Sequence, residues 1–144
     1  MTSRVSHTTI DCHNAFTLSQ WWKGVLDGVD VEGDPNLPGH EECMVLSRDG
    51  SHRLLFIEVP DDKLVKNRVH LDLEPVEGTR DDELARLLAH GAVEVADHRG
   101  KYGPGTGWVI LADPEGNEFC ILRTTVERDA ATARAVPAGP EGTA

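Results

Sequence analysis

Two histidines, His7 and His70, are the residues of this sequence best placed to do chemistry, because each stands at the head of a similar stretch of chain. His7 begins the run His-Thr-Thr-Ile-Asp, and His70 begins the run His-Leu-Asp-Leu-Glu. Alternate side chains of a strand share a face, so each histidine lies on the same face as an acidic residue, with aliphatic residues opposite. A polar, histidine-bearing face of a sheet must enclose something, and its contents could be solvent, a ligand or a metal.

The three cysteines offer a second chemistry. Cys12, Cys43 and Cys120 are odd in number, widely spaced and without a CxxC pair. This pattern favours reduced thiols over a disulfide framework. The sequence contains no P-loop, dinucleotide fingerprint or nucleophile elbow, so nucleotide binding and serine hydrolase chemistry have no motif to support them.

Hydrophobic periodicity predicts short strands and two amphipathic helices as the elements that position these residues. Asn14 is a helix cap, and Gly28 and Gly91 are stop signals. The helices are predicted over residues 15–26 and 80–90. The strands are predicted over residues 5–12, 29–31, 43–46, 52–59, 69–74, 92–96, 107–112 and 117–122. The order strand, helix, strand, strand, strand therefore occurs twice.

Composition and charge restrict the function further. The chain has 144 residues, 39% of them hydrophobic, with 14 basic and 25 acidic side chains and a net charge of -11. One folded domain is expected at this length, followed by a disordered tail over residues 127–144 that is rich in Ala, Pro and Gly. The negative charge argues against nucleic-acid binding, and the lack of an apolar run of ~20 residues argues against a membrane span. We expect a cytoplasmic protein without a secretion signal.

Three stretches carry a resemblance to a known family: the first strand at 4–12, the segment 54–73 with its second histidine strand, and the hairpin at 112–122. Over residues 4–123 the chain resembles the glyoxalase-like domain proteins of the vicinal oxygen chelate superfamily. The resemblance implies an α+β fold of two βαβββ modules, at about 4–60 and 67–123. Their eight strands would form a curved mixed cup with the helices on its outer face.

The resemblance also implies a divalent metal held by the first and last strands of the modules. Carried over to this chain, the metal ligands are His7, His70 and Glu118, with Glu118 also the candidate general base. Cys120 occupies the usual position of the last ligand, and a His2Cys set would favour zinc. The metal could be Fe, Zn, Mn or Ni, and a protein without metal is the other possibility. We expect Phe56, Asp72, Trp108 and Cys120 to line the substrate pocket.

Two functions of different class follow. The first is a small-molecule enzyme, a metal-assisted lyase, isomerase or dioxygenase acting on vicinal oxygens, although two changed ligand positions argue against true glyoxalase I activity. The second is a metal-free binding protein of the bleomycin-resistance type, which suits an acidic surface and a cationic ligand. In either case we expect a homodimer, because the sheet edges of one cup need covering.

Overall fold

The structure is a computed structural model that describes residues 1–135 of the chain. Within that range it has seven strands and three helices. The strands are β1 (Thr8–Cys12), β2 (Glu42–Leu46), β3 (Arg53–Glu58), β4 (Asp72–Leu73), β5 (Val93–Asp97), β6 (Val109–Ala112) and β7 (Glu118–Ile121). The helices are α1 (Ala15–Leu26), α2 (Arg80–Ala89) and α3 (Thr125–Ala135). None of the helices in residues 1–135 has both the length and the apolar composition needed to cross a membrane.

The chain divides into two compact units. The first comprises residues 1–66 with the short segment 114–117, and the second comprises residues 67–113 with the chain from 118 onwards. The first unit contains a three-stranded sheet in the order β1-β3-β2, in which β1 is parallel and β2 antiparallel to β3. Helix α1 packs on this sheet and buries Leu18 and Trp22 beside Phe56, with none of the three more than 1% exposed.

The second unit contains a four-stranded sheet in the order β4-β7-β6-β5. Its first strand, β4, is parallel to its last strand, β7, just as β1 is parallel to β3 in the first unit. Helix α2 begins with a reciprocal capping box between Thr79 and Asp82 and buries Leu84 and Leu87. Both units thus begin with a strand and a helix and pair their first strand in parallel with their last, and the predicted α+β fold is confirmed.

The strands differ in number and length from the prediction. Residues 29–31 form only isolated bridges, Val29 with Leu46 and Val31 with Asp34, so the first sheet has three strands. Strand β4 has only two residues, Asp72–Leu73, where residues 69–74 were predicted. The closure of all strands into one cup stays a prediction.

Part of the predicted disordered tail, residues 127–144, is helical. Residues 125–135 form helix α3, which is stabilised at its start by reciprocal bonds between Thr124 and Glu127. Such a box satisfies the first amides of a helix even where the sequence lacks a wide apolar stripe. The remaining part of the predicted tail, residues 136–144, lies outside the described residues.

Candidate functional site

The clearest group of metal-ligating side chains in the described chain lies where β4 meets β7. His70, Asp72 and Cys120 each offer one ligand atom, and these atoms all lie within 4.8 Å of one another. The Nε2 atom of His70 is 3.3 Å from Oδ1 of Asp72. We call these three residues the β4–β7 cluster. It combines a nitrogen, an oxygen and a sulfur donor at one place in the second unit.

Strand register explains why these residues meet. Asp72 pairs with Cys120 in the parallel β4/β7 ladder, and the Cys120 amide donates to the Leu71 carbonyl over 2.9 Å. His70 is two residues before Asp72 and therefore points to the same side of the sheet. Phe119, beside Cys120, points to the opposite side and is buried in the core. The alternation of β7 thus separates a core face from a face that carries the cluster.

Burial differs sharply within the β4–β7 cluster. Cys120 is 4% exposed, whereas the side chains of His70 and Asp72 are 36% and 52% exposed. The thiol therefore forms the floor of the group, and the imidazole and the carboxylate form its rim. Such an arrangement leaves the solvent side open, as a catalytic metal site requires.

The geometry fits a small divalent ion. Metal bonds of about 2.0–2.3 Å in a tetrahedral zinc site place the ligand atoms about 3.3–3.8 Å apart. The His70–Asp72 pair already has this separation, at 3.3 Å. The other distances within the set are at most 4.8 Å, about 1 Å longer than the upper end of this range.

Of the other predicted ligands, Glu118 lies on the same face of β7 as Cys120, two residues earlier. Its Oε2 accepts a hydrogen bond from the Asn67 backbone amide over 3.0 Å. The Asn67 side chain in turn donates to the Glu118 carbonyl over 3.4 Å. The carboxylate therefore orders the segment that leads into β4, where His70 follows.

His7 belongs to the first unit, where it is exposed and its Nδ1 lies 3.1 Å from the Ser6 hydroxyl. In the β1/β3 ladder Thr9 pairs with Leu55, as Asp72 pairs with Cys120 in the second unit. The histidine is thus repeated in both units, but threonine and leucine replace the carboxylate and the thiol. The role of His7 as a ligand stays a prediction.

The remaining predicted pocket residues lie in different surroundings. Phe56 is 0% exposed in the core of the first unit, on the face of β3 that α1 covers. Trp108 precedes β6 and shares a face with Ile110, the β6 partner of Cys120. Its ring stacks with Tyr102 at 6.0 Å, and the His98 ring lies 5.0 Å away.

Sequence reasoning missed two features of this region. The grouping of Asp72 and Cys120 depends on the β4/β7 register, which no local pattern shows, although the i, i+2 spacing of His70 and Asp72 was a visible signal. The Trp108–Tyr102 stack depends on how the loop 98–107 turns back. Its glycines predicted a loop, but not the ring contact.

The chain matches one protein family and several solved structures of known proteins. The family profile described as glyoxalase-like domain matches residues 7–122. The fosfomycin resistance protein FosX from Mesorhizobium loti is 18% identical with a TM-score of 0.61, covering 90% of this chain and 99% of its own. FosX from Listeria monocytogenes, complexed with Mn(II) and a sulfate ion, is 15% identical with a TM-score of 0.63, covering 92% and 99%. A possible glyoxalase from Bacillus cereus is 10% identical with a TM-score of 0.59, covering 84% and 99%. No curated protein gives a significant match. At these identities the structural likeness shows a shared fold.

Proposed function

The chain belongs to the glyoxalase-like domain family of the vicinal oxygen chelate superfamily, and from that premise we propose that it is a metal-dependent enzyme acting on a small molecule. The observation that carries the proposal is the β4–β7 cluster. A histidine, a carboxylate and a thiol with ligand atoms within 4.8 Å of one another form a donor set that fits a divalent ion.

The donor set favours zinc. Two similar FosX structures from Listeria monocytogenes contain Mn(II), one of them together with a dihydroxypropylphosphonic acid. Manganese prefers oxygen ligands, whereas a thiolate selects zinc and other thiophilic ions. Cys120 therefore distinguishes this chain from a site built for manganese. Zinc has no redox chemistry of its own, so the donor set supports a lyase or isomerase more than a dioxygenase.

Each residue of the site has a proposed role. His70, Asp72 and Cys120 hold the ion, which when bound supplies Lewis acidity toward an oxygen of the substrate. Glu118, on the same face of β7, moves a proton to or from the substrate as general base. Trp108 offers an aromatic surface for the substrate on that same face. His7 is proposed as a further ligand on the ground of the family resemblance alone.

Metal content after purification without an affinity tag tests this proposal. We expect about one equivalent of zinc in the native protein, and its loss in Cys120→Ser and His70→Ala. Cys43→Ala is the matched control, because Cys43 is equally buried but lies in the first unit. His7→Ala tests whether His7 is a ligand as well. The variant keeps its metal if the β4–β7 cluster binds the ion without His7. A native protein without metal, even after incubation with Zn(II), would contradict the proposal.

Metal-free ligand binding is the second candidate, and the stack of Trp108 and Tyr102 is the observation that favours it. Tyr102 is 67% exposed, and the net charge of -11 attracts cationic ligands. If this function is right, a planar cationic glycopeptide quenches tryptophan fluorescence equally with and without chelator. Trp108→Phe should abolish most of that quenching. Quenching that requires added Zn(II) would instead support the enzyme.

A further inference from the structure

A cleft lies beside helix α3 in the second unit, outside the β4–β7 cluster. It has a volume of about 1190 Å³ and is formed by the segment after β4, the loop around Pro104, and the start of α3. Its size is comparable to that of clefts that bind small organic molecules.

The walls of the cleft are largely apolar and exposed. Val76 is 100% exposed and Val126 is 77% exposed, and both line the cleft together with Pro104 and Ala130. Covering exposed aliphatic groups removes them from water and is favourable. A ligand with a hydrocarbon part would cover both valines at once.

One of the charged side chains that line the cleft is a cation that is available to bind a ligand. Glu74 lies 3.4 Å from the Arg128 guanidinium, and the Glu127 carboxylate accepts from the backbone amides of Arg80 and Thr124. Of the charged lining residues in the described part of the chain, Arg123 is the one whose side chain has neither an ion pair nor a hydrogen bond. A guanidinium group matches a carboxylate through two parallel hydrogen bonds.

We propose that this cleft binds a monocarboxylate with an apolar chain, the carboxylate on Arg123 and the chain across Val76 and Val126. The two carboxylates in the lining disfavour a ligand of higher negative charge. The cleft is large enough to accommodate a chain of about ten carbons. The residues that line this cleft do not include the three residues of the β4–β7 cluster.

Isothermal titration with decanoate, below its micelle concentration, tests this site. We expect saturable binding of one decanoate per chain, weakened about tenfold or more in Arg123→Gln, the loss typical of a charge-assisted hydrogen bond. Arg123→Lys should fall between the two, and Val126→Asp should also weaken binding. Arg53→Gln is the control, because Arg53 is exposed on β3 of the first unit. Decyltrimethylammonium, with the same chain and the opposite charge, should bind at least tenfold more weakly than decanoate.

Three results would overturn the proposal. The first is an absence of saturable decanoate binding to the native protein. The second is an equal affinity for decanoate and decyltrimethylammonium, or an equal loss in Arg123→Gln and Arg53→Gln, which would mean detergent-like association. The third is a dimer in sedimentation velocity that Val126→Asp dissociates while decanoate does not bind, which would assign the cleft to a second copy of the chain. Circular dichroism of every variant verifies that helix content is retained.

Discussion

Cys120 is the residue that distinguishes the proposed chemistry of this chain, and its surroundings differ from those of the other two cysteines. Burial, followed by the nearby carboxylates, raises the pKa of the Cys12 thiol to about 12. Burial also raises the pKa of Cys43. Both therefore remain protonated thiols that pack as small apolar groups. Cys120 alone of the three lies with an imidazole and a carboxylate within 4.8 Å.

The surroundings of Asp97 lead to a prediction about the pKa of its carboxyl group. Hydrogen bonds from the Arg99 side chain and backbone lower the pKa of Asp97 to about 2, from an ordinary value of 3.8. Because the folded value is the lower one, the stabilisation is complete above about pH 4 and is lost as the pH falls toward 2. In an NMR titration of the carboxyl carbon we expect a midpoint near 2, moving toward 3.8 in Arg99→Gln. A midpoint that does not move in that variant would show that Arg99 is not the cause.

At the scale of elements, the loop 98–107 between β5 and β6 holds the aromatic stack. Arg80, only 6% exposed, donates from Nη1 to the carbonyls of Thr106 and Gly107, over 2.9 and 2.8 Å. This buried guanidinium fixes the end of the loop just before Trp108. Helix α2 therefore sets the position of the aromatic surface through its first residue.

Two glycines of this loop provide a matched test. Gly105 and Gly107 both have positive φ values, of 74° and 86°, but a Cβ at Gly107 would overlap the His98 carbonyl while one at Gly105 meets nothing. Gly105→Ala should lower the free energy of unfolding by about 1–2 kcal/mol, the cost of a left-handed conformation. Gly107→Ala should cost clearly more, since the backbone must also move. Equal losses in urea denaturation would contradict the close packing of Gly107 on His98.

At the scale of the whole molecule, the two units share the pairing of their first and last strands but not their chemistry. In each unit the first strand is parallel to the last, and a histidine stands just before the first strand. The partners of that histidine differ: the first unit has Thr9 and Leu55 where the second has Asp72 and Cys120. Within residues 1–135, a donor set of three residues is thus found in the second unit and not in the first.

Much of the secondary structure could be predicted from the sequence. The elements that could not be predicted have physical reasons. The periodicities and the capping residues placed α1, α2 and most strands within a few residues, because they are local signals. The short β4 could not be predicted, because it is limited to the two residues that pair with β7, far along the chain. Helix α3 was missed because its sequence has no apolar stripe, although the capping box of Thr124 and Glu127 at its start is a local signal.

The site was predicted in part. His70 and Cys120 were expected near a metal, and Asp72 was expected in the pocket beside it. Their meeting in one cluster required the register between β4 and β7, which is set by pairing over 48 residues of chain. Phe56 was expected in the pocket and lies in the core, because the even-numbered residues of β3 face helix α1. The alternation of side chains along β3 could be predicted from the sequence. Which of its two faces packs against helix α1 could not.

X-ray absorption at the zinc edge, on protein loaded with one equivalent of Zn(II), tests the central claim most directly. The claim is that Cys120 binds the metal together with His70 and Asp72. It predicts one sulfur neighbour at about 2.3 Å with nitrogen and oxygen neighbours at about 2.0–2.2 Å, and loss of the sulfur in Cys120→Ser. A first shell of nitrogen and oxygen alone in the native protein would contradict it.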